Sequence, residues 1–222
     1  MTALILQHGE SGPPGVLGDW AAARGIELEI HHAQSGAPLP ALNGHAFIAS
    51  LGSPHNPADL HIAEIAAELA YVEQAIARDI PVLGLCFGGQ MLAKALGGEI
   101  EKAPQPELGW HTVDSLAPDV VPPGPWLQWH YDRFTVPPGA ELLATSAAGP
   151  QAFIHGRHLG VQFHPESTIE IVSSWARSDQ DRVRALGIGD GEALLERGRR
   201  HATAARSAAF DLFDAFWRRT RA

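Results

Sequence analysis

Apolar residues along this chain fall into short runs of two periods. Ala3-Leu4-Ile5-Leu6 is a continuous apolar run of strand length, Ala46 to Leu51 is another broken only by Ser50, and Ile26 to Ile30 alternates as a strand with one wet face does. Leu17 to Arg24 reads as a short helix stopped by Gly25, after a loop from Gly9 to Gly15 whose glycines and prolines turn sharply. Ala58 to Arg78 is rich in Ala, Leu, Ile and Glu and predicts a longer helix. It feeds Ile80-Pro81-Val82-Leu83-Gly84-Leu85, an apolar run of the kind a strand buried on both faces carries. Gln90 to Leu96 is again a helix sequence, and Gly97-Gly98 ends it. This βαβαβ alternation predicts a mainly parallel sheet with helices on both faces.

After Gly98 the pattern shortens. Thr112-Val113, Trp126 to Trp129, Ala140 to Ala144, Ala152 to Ile154 and Leu159 to Phe163 are strand candidates, separated by turns such as Val121-Pro122-Pro123-Gly124-Pro125. They predict a partly antiparallel insertion that returns to the sheet just before His164. From Glu170 onward the chain reads as helical, with Phe210, Phe213 and Trp217 on one face that covers the domain's own sheet.

Composition narrows the class of protein without changing this picture. A chain of 222 residues is long enough for one sizeable core, and 1–222 is expected to form a single domain. A net charge of −9 argues against a nucleic-acid or anionic-membrane surface. One cysteine excludes an intramolecular disulfide and fits a reducing compartment. The start of the chain lacks a basic, then apolar, leader, and no run reaches the roughly 18–20 apolar residues of a membrane span. A cytoplasmic protein is expected.

The lone cysteine is where chemistry enters. Cys86 sits between the strand run and the helix run, with Gly84 and Gly88 two residues to either side. That is the layout of a nucleophile elbow with sulfur in place of oxygen. The following helix would aim its N–H groups and positive dipole end at the sulfur, which favours thiolate. A lone cysteine is more often a buried structural one, and Gly-x-Cys-x-Gly by itself leaves both readings open. Downstream, Gly160-Val161-Gln162-Phe163-His164-Pro165-Glu166 supplies a base and a carboxylate at the end of another strand-like run.

Together these two segments resemble the class I glutamine amidotransferase family, and within it the amidotransferase domain of GMP synthase. The resemblance runs from about Leu4 to about Ser167. It implies a flavodoxin-like three-layer α/β sandwich and a Cys-His-Glu triad of Cys86, His164 and Glu166. The elbow places the N–H of Phe87 as one oxyanion donor. Ser50-Leu51-Gly52-Ser53-Pro54 resembles the family's Gly-Gly-Pro oxyanion loop, with Gly52 at the donor glycine and with Leu51 and Ser53 departing from the pattern. Gln90, in Cys-x-Gly-x-Gln, matches a position that meets the α-amino-acid end of the substrate. Gln128-Trp129-His130-Tyr131-Asp132 resembles the His-x-Asp loop whose backbone binds glutamine, which brings in His130, Tyr131 and Asp132. His130 and Asp132 also form a candidate second histidine–carboxylate pair.

Of the twelve histidines, His31-His32 would point apart on a strand and His155 and His158 lack companions at ligand spacing, so no metal is implied. With no Walker A loop and no Gly-x-Gly-x-x-Gly, no nucleotide cofactor is implied either. The expected substrate is L-glutamine or a γ-glutamyl compound. The released ammonia is expected to serve a separate synthase subunit, since the chain has no ATP-binding motif of its own, and turnover is expected to be slow without that partner. Two alternatives use the same residues differently: a γ-glutamyl peptide or amide hydrolase, and a domain that senses glutamine without turning it over.

Overall fold

The computed structural model describes residues 1–185 and 191–221. In chain order the elements are β1 (Thr2–Gln7), α1 (Gly15–Ala23), β2 (Glu27–His32), β3 (His45–Ser50), α2 (Ala63–Ala77), β4 (Val82–Leu85) and α3 (Phe87–Ala95). There follow β5 (Ile100–His111), β6 (Asp114–Ser115), β7 (Trp126–Phe134), β8 (Glu141–Ser146), β9 (Gly149–His155), β10 (His158–Val161), α4 (Ile169–Ser178), α5 (Gln180–Ala185) and α6 (Gly191–Thr220).

The main sheet runs β2-β1-β3-β4-β10-β9-β8-β6. Its first five strands are parallel; β9, β8 and β6 continue it antiparallel. The alternation of side chains divides the core between the faces. Ala3 and Ile5 join Trp20 of α1 and Leu212, Phe213 and Phe216 of α6 on one side. Leu4 and Leu6 join Val72 of α2 and Met91 of α3 on the other. Phe210 and Trp217 pack against the first cluster, so this face of α6 covers the chain's own sheet as expected. His31 is buried and His32 exposed, as neighbours on a strand must be.

Two expectations shift. The long helix begins at Ala63 and not at Ala58, because the Asn56 side chain accepts the Ala58 N–H and closes a turn there. Thr112-Val113 is not a strand: it follows the end of β5, which pairs with β7 in a separate two-stranded sheet. Pro104 and Pro106 hide β5 from a pattern search. The ladder breaks register between Lys102 and Glu107 to accommodate them, a departure open to a strand paired on one side only. This small sheet packs Leu108 and Leu127 against Val172 of α4 and Leu194 of α6. No described helix is long and apolar enough to cross a membrane.

A candidate active site at the strand-to-helix elbow

The carboxyl ends of β1, β3, β4 and β10 meet at one end of the sheet. Cys86 follows β4 directly and caps α3 with φ 53° and ψ −105°, a left-handed conformation that an ordinary side chain adopts only under constraint. The constraint is visible in its neighbours. A Cβ on Gly84 would lie 2.3 Å from the Gly88 carbonyl oxygen, and one on Gly88 would lie 2.0 Å from the Ser50 carbonyl oxygen. The elbow therefore closes only with glycine at both places. The Cys86 N–H bonds the Val161 carbonyl at 2.9 Å, which ties the turn to β10.

His164 arrives just past β10 and is held by its own N–H to the Leu127 carbonyl at 2.9 Å. Its Nδ1 lies 2.7 Å from Oε1 of Glu166, and both side chains are buried. With Nδ1–H donating to the carboxylate, Nε2 is left for the sulfur. Glu166 is anchored through its carbonyl, which accepts the Val16 N–H at the start of α1 at 2.9 Å. Burial works against a charged imidazole here. The Cys86 sulfur beside the ring and the Glu166 carboxylate outweigh it and push His164 up to about 10. Cys86, His164 and Glu166 thus lie together at this end of the sheet.

The other expected residues converge on the same cleft, of about 1170 Å³, lined by Gly52, Cys86, Phe87, Gln90, His130, Tyr131, Asp132 and His164. A Cβ on Gly52 would stand 2.8 Å from Cε1 of His164, so the loop touches the imidazole directly. Among the described residues, the Gly52 and Phe87 N–H groups donate to no other backbone carbonyl outside regular elements. Gln90 is tied back: its Nε2 donates to the Asp132 carbonyl at 3.1 Å and to Gln162 Oε1 at 3.3 Å.

The second histidine–carboxylate pair needs correction. The Asp132 carboxylate bonds Asn56 at 2.8 Å and Lys102 at 2.7 Å. His130 meets only the Asp132 backbone, through Nδ1 at 3.1 Å, while its Nε2 lies 3.1 Å from Glu107 Oε2. Glu107 and His130 sit opposite each other across the β5–β7 ladder, which delivers the pairing. Burial works against charge on Glu107, but its bonds to His130 and Ser146 hold its carboxyl below the usual range.

Three contacts lie outside what the motifs indicate. Gln162 Nε2 lies 3.8 Å from the Cys86 sulfur. Its signal is its place, two residues before His164 on the same run. Trp175 of α4 packs its ring edge-on to His164, centroids 4.7 Å apart, and its Nε1 donates to the Ser11 carbonyl at 2.8 Å. His8, which lines the cleft, forms a buried pair with Glu68 behind it. No local motif marks either of these.

Comparison with known proteins gives a consistent result. The family model described as "Glutamine amidotransferase class-I" matches residues 20–172. GMP synthase [glutamine-hydrolyzing] from Aeropyrum pernix is 43% identical over 95 residues, 39% of this chain and 18% of that protein. A relative from Sulfolobus acidocaldarius, named as one subunit of GMP synthase [glutamine-hydrolyzing], is 42% identical over 97 residues, 40% of this chain and 52% of that one. The matches therefore span well under two thirds of these curated relatives. Among solved structures, a glutamine amido transferase from Methylobacillus flagellatus superposes with a TM-score of 0.88 at 26% identity, covering 97% of this chain and 93% of that one. A glutamine amidotransferase from Thermotoga maritima shares the fold, with a TM-score of 0.89 at 24% identity over 98% of both chains.

Proposed function

This chain belongs to the glutamine amidotransferase class-I family, and from that premise we propose that it hydrolyses the side-chain amide of glutamine through a γ-glutamyl thioester on Cys86. The observation that carries the reading is the buried line Cys86–His164–Glu166, set at a strained elbow on the floor of an open cleft. The charged imidazole pairs with the sulfur as thiolate. Sulfur attacks the amide carbon, and the carbonyl electrons move onto oxygen, where the N–H groups of Gly52 and Phe87 receive them. The C–N bond breaks as His164 gives its proton to the leaving nitrogen, and ammonia departs. His164 then takes a proton from water as the water oxygen attacks the thioester. The C–S bond breaks, glutamate leaves, and the ion pair is restored. Glu166 holds the ring and balances its charge. Gln90 and the backbone of 130–132 take the α-amino-acid end.

The ammonia is destined for a separate acceptor enzyme, an arrangement in keeping with the Sulfolobus relative's being named as one subunit of its enzyme. That partner accelerates turnover by favouring the assembled oxyanion loop. The size of the cleft favours a second reading. At about 1170 Å³ it exceeds the roughly 300–1,000 Å³ usual for small-molecule pockets, which leaves room for a γ-glutamyl peptide or amide. Values of kcat/KM for glutamine and for a γ-glutamyl dipeptide, measured on the purified chain, separate the two. Glutamine is expected to be the better substrate; fast dipeptide turnover with poor glutamine use overturns the amidotransferase assignment and keeps the catalytic residues.

The pH dependence follows from His164. The proton needed by the leaving nitrogen is present below its pKa and lost as pH rises through it, so the alkaline limb of kcat/KM is expected near 10 and not near 6.5. Glu166→Gln removes one of the charges that raise it, so the limb should move to lower pH. A limb that stays in place in this variant rules out the carboxylate's part.

A further inference from the structure

Beneath the oxyanion loop lies a buried histidine–carboxylate pair that the reaction does not use. His8, just past β1, places Nε2 2.6 Å from Oε2 of Glu68 on α2. The other carboxylate oxygen, Oε1, accepts the Ser50 hydroxyl at 2.7 Å. His8, Ser50 and Glu68 are 5%, 0% and 2% exposed.

Each partner of Glu68 leads to one of the two candidate oxyanion donors. Ser50 ends β3, two residues before Gly52, and its backbone presses on the elbow where a Cβ on Gly88 would meet its carbonyl at 2.0 Å. The next carbonyl, that of Leu51, accepts the Gly88 N–H at 3.2 Å. On the other side, the His8 ring meets Phe87 edge-on, centroids 4.7 Å apart. One carboxylate thus grips both segments that carry the hole.

Burying a carboxylate is a poor way to gain stability, since apolar residues of similar volume serve as well or better. What a carboxylate supplies is direction, with two acceptors at fixed positions. An oxyanion hole needs direction, because its donors act only when they lie about 2.7–3.1 Å from the developing charge. We propose that Glu68, with His8 and Ser50, is a positioning group for the oxyanion hole, setting the Gly52 loop against the Phe87 turn. The inference rests on the amidohydrolase reading of the cleft.

The test compares two reactions of Cys86. Hydrolysis of glutamine forms an oxyanion. Alkylation by iodoacetamide displaces iodide at a saturated carbon, forms none, and reports only the sulfur and His164. Glu68→Ala should lower kcat about 10–100-fold, a fraction of the loss on deleting a donor outright, with KM and the alkylation rate unchanged. Glu68→Gln should recover most of that kcat, because the amide keeps an acceptor for Ser50 and a polar contact to His8. Ser50→Ala removes a single hydroxyl and should lower kcat alone, by less. Should Glu68→Ala fail to fold, Ser50→Ala decides. Wild-type kcat in Ser50→Ala, or parallel losses of hydrolysis and alkylation in either variant, overturns the positioning role. A wild-type chain that releases glutamate from neither glutamine nor a γ-glutamyl dipeptide sinks the amidohydrolase reading instead.

Discussion

Cys86→Ala is expected to abolish release of glutamate and ammonia from glutamine, a loss of at least about 10⁴-fold in kcat, and to leave the far-UV circular dichroism unchanged. The chemistry has no second nucleophile to fall back on. Cys86 is the chain's single cysteine, and water lacks both the sulfur's nucleophilicity and its place at the elbow. The fold should tolerate the change. Alanine keeps the Cβ, so the backbone at φ 53° is strained no more than before, and deleting one sulfur costs about 1 kcal/mol in a buried site. Wild-type turnover in this variant, free of contaminating amidase, would end the account.

The next largest effect is expected at His164. Without the imidazole, nothing delivers a proton to the leaving nitrogen or takes one from water, and such help is typically worth about 10²–10⁴-fold. His164→Ala also removes the cation beside the sulfur, so alkylation of Cys86 by iodoacetamide should slow along with hydrolysis. Glu166→Gln should keep more activity than His164→Ala, because an amide oxygen can still accept Nδ1–H where the carboxylate does at 2.7 Å. Steady-state rates of the two variants decide it: His164→Ala near wild type, or Glu166→Gln as inert as His164→Ala, contradicts the roles assigned here.

What could be read from the sequence was what is local. Cys86 with its flanking glycines is a strand-to-helix turn whose parts are contiguous, and His164-Pro165-Glu166 is as compact. The first four parallel strands were legible because three of them, β1, β3 and β4, are largely apolar runs and helices follow β1, β3 and β4 in the chain. Contacts made by topology were not legible. Glu107 reaches His130 only because β5 lies beside β7, and Pro104 and Pro106 disguise β5 as a loop. Adjacency in sequence therefore pointed to Asp132, whose carboxylate is engaged by Asn56 and Lys102. Trp175 and the His8–Glu68 pair are tertiary in the same sense. His8 and Glu68 are sixty residues apart and meet only once α2 is laid on the sheet.

A covalent γ-glutamyl intermediate on Cys86 stands at the centre of this mechanism. Its most direct test is to quench the chain with acid during turnover of glutamine and locate any adduct by peptide mass spectrometry. The expected result is a single γ-glutamyl group on the peptide that holds Cys86, released by hydroxylamine and absent from Cys86→Ala. Glutamate formed with the adduct on another residue, or formed undiminished by the Cys86→Ala chain, would contradict it.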